Sequence, residues 1–269
     1  MGYDHVEIDA TDGVGWLWLN RPEKLNAMSE DMWADIPAAM AELDADESVR
    51  VIVVAGRGKA FTVGIDLMML GSLQVDARSE AEKRAKLYGE IKRLQKTMSA
   101  FADAPKPTIA AVHGYCLGAG IDLITACDIR IASSDATFSV RETKMGLVAD
   151  VGTMQRLPRI IGPGHVAELV FTGRDIDAAE AGRIGLVNRV YEDAQALMAA
   201  AHEMAEEIAA NSPLVVQGAK QVLAAEADMS IQAALDHMAL WNSAFLWSND
   251  LNEAMMAFME RRPPDYTGT

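Results

Sequence analysis

Apolar and polar residues alternate through "HVEIDATDGVGWLWLN" on both sides of the pair Asp12-Gly13. Alternation with a period of two marks half-buried strands, and Asp-Gly between them favours a tight hairpin, so the chain is predicted to open with two strands. After the loop "RPEKLNAM", Ser29 stands three residues before Met32 at the head of a helical pattern that runs to residue 43. "VRVIVVAG" is an unbroken apolar run bounded by Gly and reads as a strand covered on both faces. Residues 79–103 form a long helix with a charged face, "PTIAAVHG" a second buried strand, "GAGIDLITAC" the start of a helix and "DIRIAS" a further strand. The economical architecture for this alternation is α/β, with parallel strands joined by crossover helices.

Beyond residue 150 the pattern changes. "DAAEAGRIGLVNRVY" predicts a short helix and strand, and residues 193–261 read as almost continuous helix, with Pro213 after "NS" marking a helix start. Trp241, Phe245 and Trp247, with Met255, Met256 and Met259, form a stripe expected to pack in a core or a subunit interface. No internal repeat or low-complexity segment interrupts the chain.

Half of the 269 residues are hydrophobic, enough for a substantial core. A formal charge of −15 and a pI near 4.7 argue against nucleic acid or an anionic membrane as partner. Any anionic ligand must therefore rely on local features. Cys116 and Cys127 are too few for a disulfide framework and fit small buried hydrophobes in a reducing compartment. "MGYDHVEIDATDG" has neither the basic nor the apolar region of a secretion signal, and no uncharged run approaches the ~20 residues a membrane span needs. Neither tail reads as an address or an anchor, so the cytoplasm is the expected location.

Two Gly-containing turns, "GRGKAFTVGIDL" and "HGYCLGAGIDL", follow buried strands, and both end in Gly-Ile-Asp-Leu. Backbone N–H groups at a helix start are unpaired and carry the positive end of the dipole, so two such turns side by side offer two donors to one developing negative oxygen. Taken singly, each is better read as a plain tight turn. The series Gly114, Gly118 and Gly120 also resembles a dinucleotide-binding turn. Against that stand its place more than 100 residues into the chain, the lack of a following Tyr-x3-Lys pair, and Asp122 where a pyrophosphate would sit.

Near these turns lie Asp66, Asp122, Asp128, Glu142 and Asp150. Asp66 and Asp128 each begin an element and read as caps. Asp122 projects from the first turn of an apolar helix, Glu142 follows the strand-like "ATFSV", and Asp150 comes eight residues later between Ala149 and Val151. A carboxylate in apolar surroundings is either solvent-facing or kept for chemistry, and here three acids can converge. His113 reads as a hydrogen-bonded structural residue, and no metal is expected because His5, His165, His202 and His237 form no ligand spacing.

"GKAFTVGIDLMML", "KPTIAAVHGYCLGAGIDLITACDIRIAS" and "GLVADVGTMQRLPRIIG" together resemble the enoyl-CoA hydratase/isomerase superfamily, the crotonase fold, from the N-terminal strands to about residue 260. The resemblance implies a spiral of ββα units over residues 1–200 carrying an acyl-CoA site, and a C-terminal helical trimerisation region over residues 201–269. It implies a homo-trimer or homo-hexamer, an acyl-CoA thioester substrate in fatty-acid β-oxidation, and no cofactor beyond the coenzyme A of the substrate. The family's two thioester-binding amides fall at Ile65 and at Ala119; the latter position is usually Gly, but Ala keeps the N–H. Lys24 and Val63, Gly64, Ile65, Asp66 and Leu67 match segments lining the CoA groove, and Arg57 and Lys59 add cations nearby.

Hydratases of the family carry Glu at the positions of Asp122 and Glu142 and commonly Gly at that of Asp150. The Asp, Glu, Asp trio instead resembles the Δ3,5-Δ2,4-dienoyl-CoA isomerases. By that resemblance Asp150 is the base at C2, Glu142 the acid at C6, and Asp122 a carboxyl that tunes or orients Glu142. Two other readings stay open: an enoyl-CoA hydratase that carries Asp150, and a non-catalytic acyl-CoA binder on the same fold.

Overall fold

Asp12 and Gly13 both take left-handed backbone angles, with φ of 53° and 82°, and close the predicted hairpin between β1 (Val6–Thr11) and β2 (Val14–Leu19). The structure, a computed structural model, describes residues 2–72 and 77–269. Ser29 Oγ accepts from Met32 N at 3.3 Å and starts α1 (Glu30–Ala45), as the spacing predicted. β3 (Val51–Gly56) follows, and then α2 (Leu67–Ser72) and α3 (Glu80–Asp103). β4 (Thr108–Val112), β5 (Tyr115–Leu117) and α4 (Ala119–Ala126) form one ββα turn; β6 (Ile129–Ser133), β7 (Thr137–Ser139) and α5 (Thr153–Arg156) begin the next. The chain continues through α6 (Pro163–Thr172), β8 (Ile176–Asp177), α7 (Ala178–Arg183) and β9 (Arg189–Tyr191). Four helices end it: α8 (Ala194–Ala209), α9 (Pro213–Glu226), α10 (Ile231–Phe245) and α11 (Asn249–Glu260).

The larger sheet has the order β1-β2-β3-β4-β6-β9, antiparallel in the hairpin and parallel from β2 onward. A smaller sheet, β5-β7-β8, lies beside it, and a parallel bridge from Thr62 to Cys116 extends its edge. Successive passes of the chain thus place a strand in the first sheet and a second segment at the other: β3 then Thr62, β4 then β5, β6 then β7. This is the expected spiral. It also disposes of the dinucleotide reading, because β5 stands between the buried strand β4 and helix α4 where a tight strand-to-helix turn would be needed.

Strand periodicity divides the core. Ile52 and Val54 point with Ala110 and Val112 toward α1, α3 and α4, whereas Val51, Val53 and Ala55 point with Ile109 and Ala111 toward α8. α8 meets that second face with Leu197, Ala201, Ala205 and Ala209, a stripe at helical spacing whose small side chains let the helix approach the sheet closely. Further on, Trp241 packs at 4.8 Å on Phe245, but Trp247 is 81% exposed and Met255, Met256 and Met259 are open to solvent. The stripe is therefore not a core within the described chain.

Candidate active site

The spiral brings the two Gly turns together. Met28 N donates to Gly64 O at 2.8 Å and Asp66 N to Met28 O at 3.0 Å, so the loop carrying Lys24 pairs along one edge of residues 64–66. Successive amides of an extended segment face opposite ways, and the Ile65 N–H is accordingly turned from that edge with no acceptor among the described residues. Gly64, at φ 90°, lies so near the other turn that a Cβ there would stand 2.6 Å from Leu117 O and 3.2 Å from Ala119 N. Ala119 is the first residue of α4, Gly118 N donates to Ser139 O, and the Ala119 N–H is left free. Two unpaired amides thus flank one cavity of about 810 Å³. The shared Gly-Ile-Asp-Leu falls in different registers, with Asp66 before α2 and Asp122 inside α4.

All three acids line this cavity. Asp122 is fully buried; Oδ1 accepts from Thr153 N at 2.5 Å, and Oδ2 has no partner. It caps the start of α5 rather than its own helix. Burial, with Asp150 adding like charge, pushes its carboxyl up to about 6 against the opposing bond from Thr153. Glu142 opens a single 3-10 turn, Glu142–Met145, and its Oε1 would lie 3.5 Å from a Cβ on Gly118, beside the Ala119 amide. Its Oε2 is shut from solvent without a partner, and burial, then Asp122 and Asp150, push it up to about 7. Asp150 sits at the accessible mouth, yet the crowding walls still raise its carboxyl by desolvation. Gln95 Nε2 of α3 donates to its carbonyl at 2.7 Å.

Asp66 and Asp128 both hold backbone amides, Asp66 at the start of α2 as its cap reading expected and Asp128 at the start of β4 rather than of its own element, and Asp66 also lines the cavity. Arg21 Nη1 stands 2.5 Å from Asp66, whose other oxygen accepts from Met68 N and whose carboxyl is held low mainly by the Arg21 bond. Asp128 accepts from Thr108 N and Oγ1 and pairs with Lys220 at 2.8 Å. His113 is buried, with Nε2 3.1 Å from Gly58 O. Both cysteines are free and buried, and burial pushes the Cys127 thiol up to about 12.

Lys24 and residues 63–67 line the cavity. Of the further cations, Arg57 is engaged elsewhere, 2.9 Å from Glu7 and 3.8 Å over the Trp18 ring. Sequence reasoning passed over Arg21, Gln95, Arg141 and Arg156, whose roles depend on contacts far along the chain. Apolar walls come from Trp33, Leu87, Ile91, Leu94 and Met145. Of the stretch "MLGSLQVDARS", expected with the 79–103 helix to shape the pocket, residues 73–76 lie outside the described residues. Among the described residues no three His, Cys, Asp or Glu side chains converge to hold a metal ion, and no helix is long and apolar enough to cross a membrane.

Residues 9–269 match the family described as enoyl-CoA hydratase/isomerase. The chain is 41% identical to the mitochondrial Δ3,5-Δ2,4-dienoyl-CoA isomerase of Dictyostelium discoideum, across 97% of this chain and 91% of that one. It is 43% identical to the peroxisomal protein of the same name in Arabidopsis thaliana, across 98% and 97%. Among solved structures, an enoyl-CoA hydratase from Bacillus anthracis superposes with a TM-score of 0.89 at 32% identity, covering 99% of this chain and 100% of that one.

Proposed function

The chain belongs to the enoyl-CoA hydratase/isomerase family, and from that membership we propose that it is a Δ3,5-Δ2,4-dienoyl-CoA isomerase, working on unsaturated acyl thioesters in fatty-acid β-oxidation. The observation that carries this reading is one cavity holding two free amides and three carboxyls of unlike burial.

In the proposed reaction the thioester oxygen accepts from Ile65 N–H and Ala119 N–H. Asp150 takes a proton from C2; the electron pair spreads over the thioester and along the diene, and the amides stabilise the negative oxygen. Glu142 returns a proton at C6, leaving double bonds at C2 and C4. Burial raises the Glu142 carboxyl to about 7, so that it holds a proton to donate, while Asp150, the more accessible of the two, serves as the base. Asp122 adds negative charge behind Glu142 and so supports its acid role. Only protons move, so the chemistry calls for no cofactor beyond the coenzyme A of the substrate. Lys24, with Val63, Gly64, Ile65, Asp66 and Leu67, forms the proposed CoA-binding wall.

Within this reading residues 1–200 supply the site, and residues 201–269 the surface for a homo-trimer or homo-hexamer. The apolar side chains left open on α10 and α11 support that role. The two free buried thiols fit the cytoplasmic location that belongs to the same proposal, though the curated relatives above are named mitochondrial and peroxisomal.

Incubating the purified protein with a 3,5-dienoyl-CoA tests the reading. The longer-wavelength absorbance of the conjugated 2,4-dienoyl thioester is expected to rise. Loss of enoyl absorbance from a 2-enoyl-CoA without that rise would establish a hydratase, and thioester binding without either change a non-catalytic binder.

A further inference from the structure

Arg156, in "GTMQRLP", lies behind the acid cluster rather than on the cavity wall, and the proposed chemistry gives it no task. Its Nη2 donates to Ser99 Oγ of α3 at 2.9 Å, while Nη1, shut from solvent, has no partner. Across Gly152 lies Asp122, whose Oδ1, the oxygen that accepts from Thr153 N, is the one on that side, while its Oδ2 has no partner. A Cβ on Gly152 would overlap Arg156 Nη1 and lie 3.8 Å from Asp122 Oδ1. Guanidinium and carboxylate are therefore no further apart than two hydrogen bonds in series, a span they cross through the interior or over one water. Gly152 also has φ 146°, so glycine is needed there twice, for the backbone angle and for the room the cation occupies. A buried donor without a partner is costly, and a carboxylate this close offsets part of that cost through space.

We propose that Arg156 is a positioning residue of the acid cluster: facing Asp122 across Gly152, it keeps Asp122 charged and so leaves the cluster's proton on Glu142. The proposal rests on reading Asp122, Glu142 and Asp150 as the proton-transfer groups. The ionisable groups acting on Asp122 include Arg156 of α5, Asp150 and Glu142 of the following loop, and the Cys116 thiol of β5. Arg156 is the cation among them. With Asp122 and Asp150 both negative, Glu142 is the carboxyl that best retains a proton, and it borders the Ala119 amide where the substrate is held. Removing the cation moves that proton toward Asp122, which is buried behind the reacting atoms.

Arg156→Met and Arg156→Lys, each with and without Asp122→Asn, separate this from a packing role. Arg156→Met is expected to lower kcat about 10- to 100-fold with KM changed less than about twofold. It should also move the alkaline limb of the kcat–pH profile to lower pH, because a neutral Asp122 no longer helps Glu142 keep its proton. Arg156→Lys should restore most of the loss, and in the Asp122→Asn background Arg156→Met should cost less than about threefold. An unmoved profile, or the same loss in both backgrounds, would overturn the proposal. Urea unfolding at pH 8 gives a readout independent of turnover: Arg156→Met should lower the folding constant at least about tenfold more when Asp122 is intact than in the Asp122→Asn background. Equal costs would overturn the pairing, whereas a wild-type protein without isomerase activity that still shows the coupling would overturn the function alone.

Discussion

Asp150 lines the cavity with its carbonyl held by Gln95, and in the proposed reaction its carboxylate is the base at C2. Asp150→Asn keeps size and shape but removes the base. kcat on a 3,5-dienoyl-CoA is expected to fall about 100- to 10,000-fold, with thioester affinity by calorimetry nearly unchanged. Unchanged turnover would take Asp150 out of the mechanism. Glu142 makes a prediction about stability as well. Its folded carboxyl is raised from 4.5 to about 7, so the folded chain holds a proton that the unfolded chain has given up. That contribution is fully present below about 4.5 and is lost as pH rises through about 7. Glu142→Gln should therefore stabilise the protein at pH 8 by on the order of 2 kcal/mol, and give no gain below about pH 4, in urea titrations at both pH values. Asp150 and Glu142 were legible as candidates because each is a charge set among apolar residues or after a strand. Arg156 was not, because its meaning depends on Asp122, far away in the chain, and on the space left by Gly152.

At the scale of elements, the proposed mechanism needs the turn before α2 to lie close to the start of α4. Gly64→Ala would drive a methyl toward Leu117 O and the Ala119 amide at a positive φ. It should lower kcat on the order of 100-fold by spreading the two donors, at a cost of about 1–3 kcal/mol in folding, read from a kinetic assay and a urea titration together. An unchanged kcat would show that the donors do not act as a pair. The hairpin at Asp12-Gly13, β3, β4, α3 and the capped start of α1 were legible because their signals are local: turn chemistry, an apolar run, a cap at the right spacing. β5 and β8 were not. Three and two residues long, they hold their form through the partners Thr137–Ser139 and the Thr62 segment, and no local pattern encodes such pairings. The shared Gly-Ile-Asp-Leu pointed to two cooperating turns, yet the structure uses it in two registers, so the likeness found the site without describing it.

At the scale of the whole molecule, α10 and α11 turn a broad apolar surface outward. Trp247 is 81% and Phe258 85% exposed, and Ile231, Leu240 and Met259 are open beside them in sequence or on neighbouring helices. A net charge of −15 would keep molecules apart unless such a surface drew them together. Sedimentation is expected to give a trimer or hexamer, and Trp247→Glu with Phe258→Glu to shift it toward monomer; a monomeric wild-type protein would contradict this. In the proposed reaction separate carboxyls move protons at the two ends of a diene. Converting a 3,5-dienoyl-CoA in deuterated water and locating the label in the product tests it most directly. The expected product is a 2,4-dienoyl thioester with deuterium on C6 and no added oxygen; complete conversion without label at C6, or a hydroxylated product, would rule out this proton transfer.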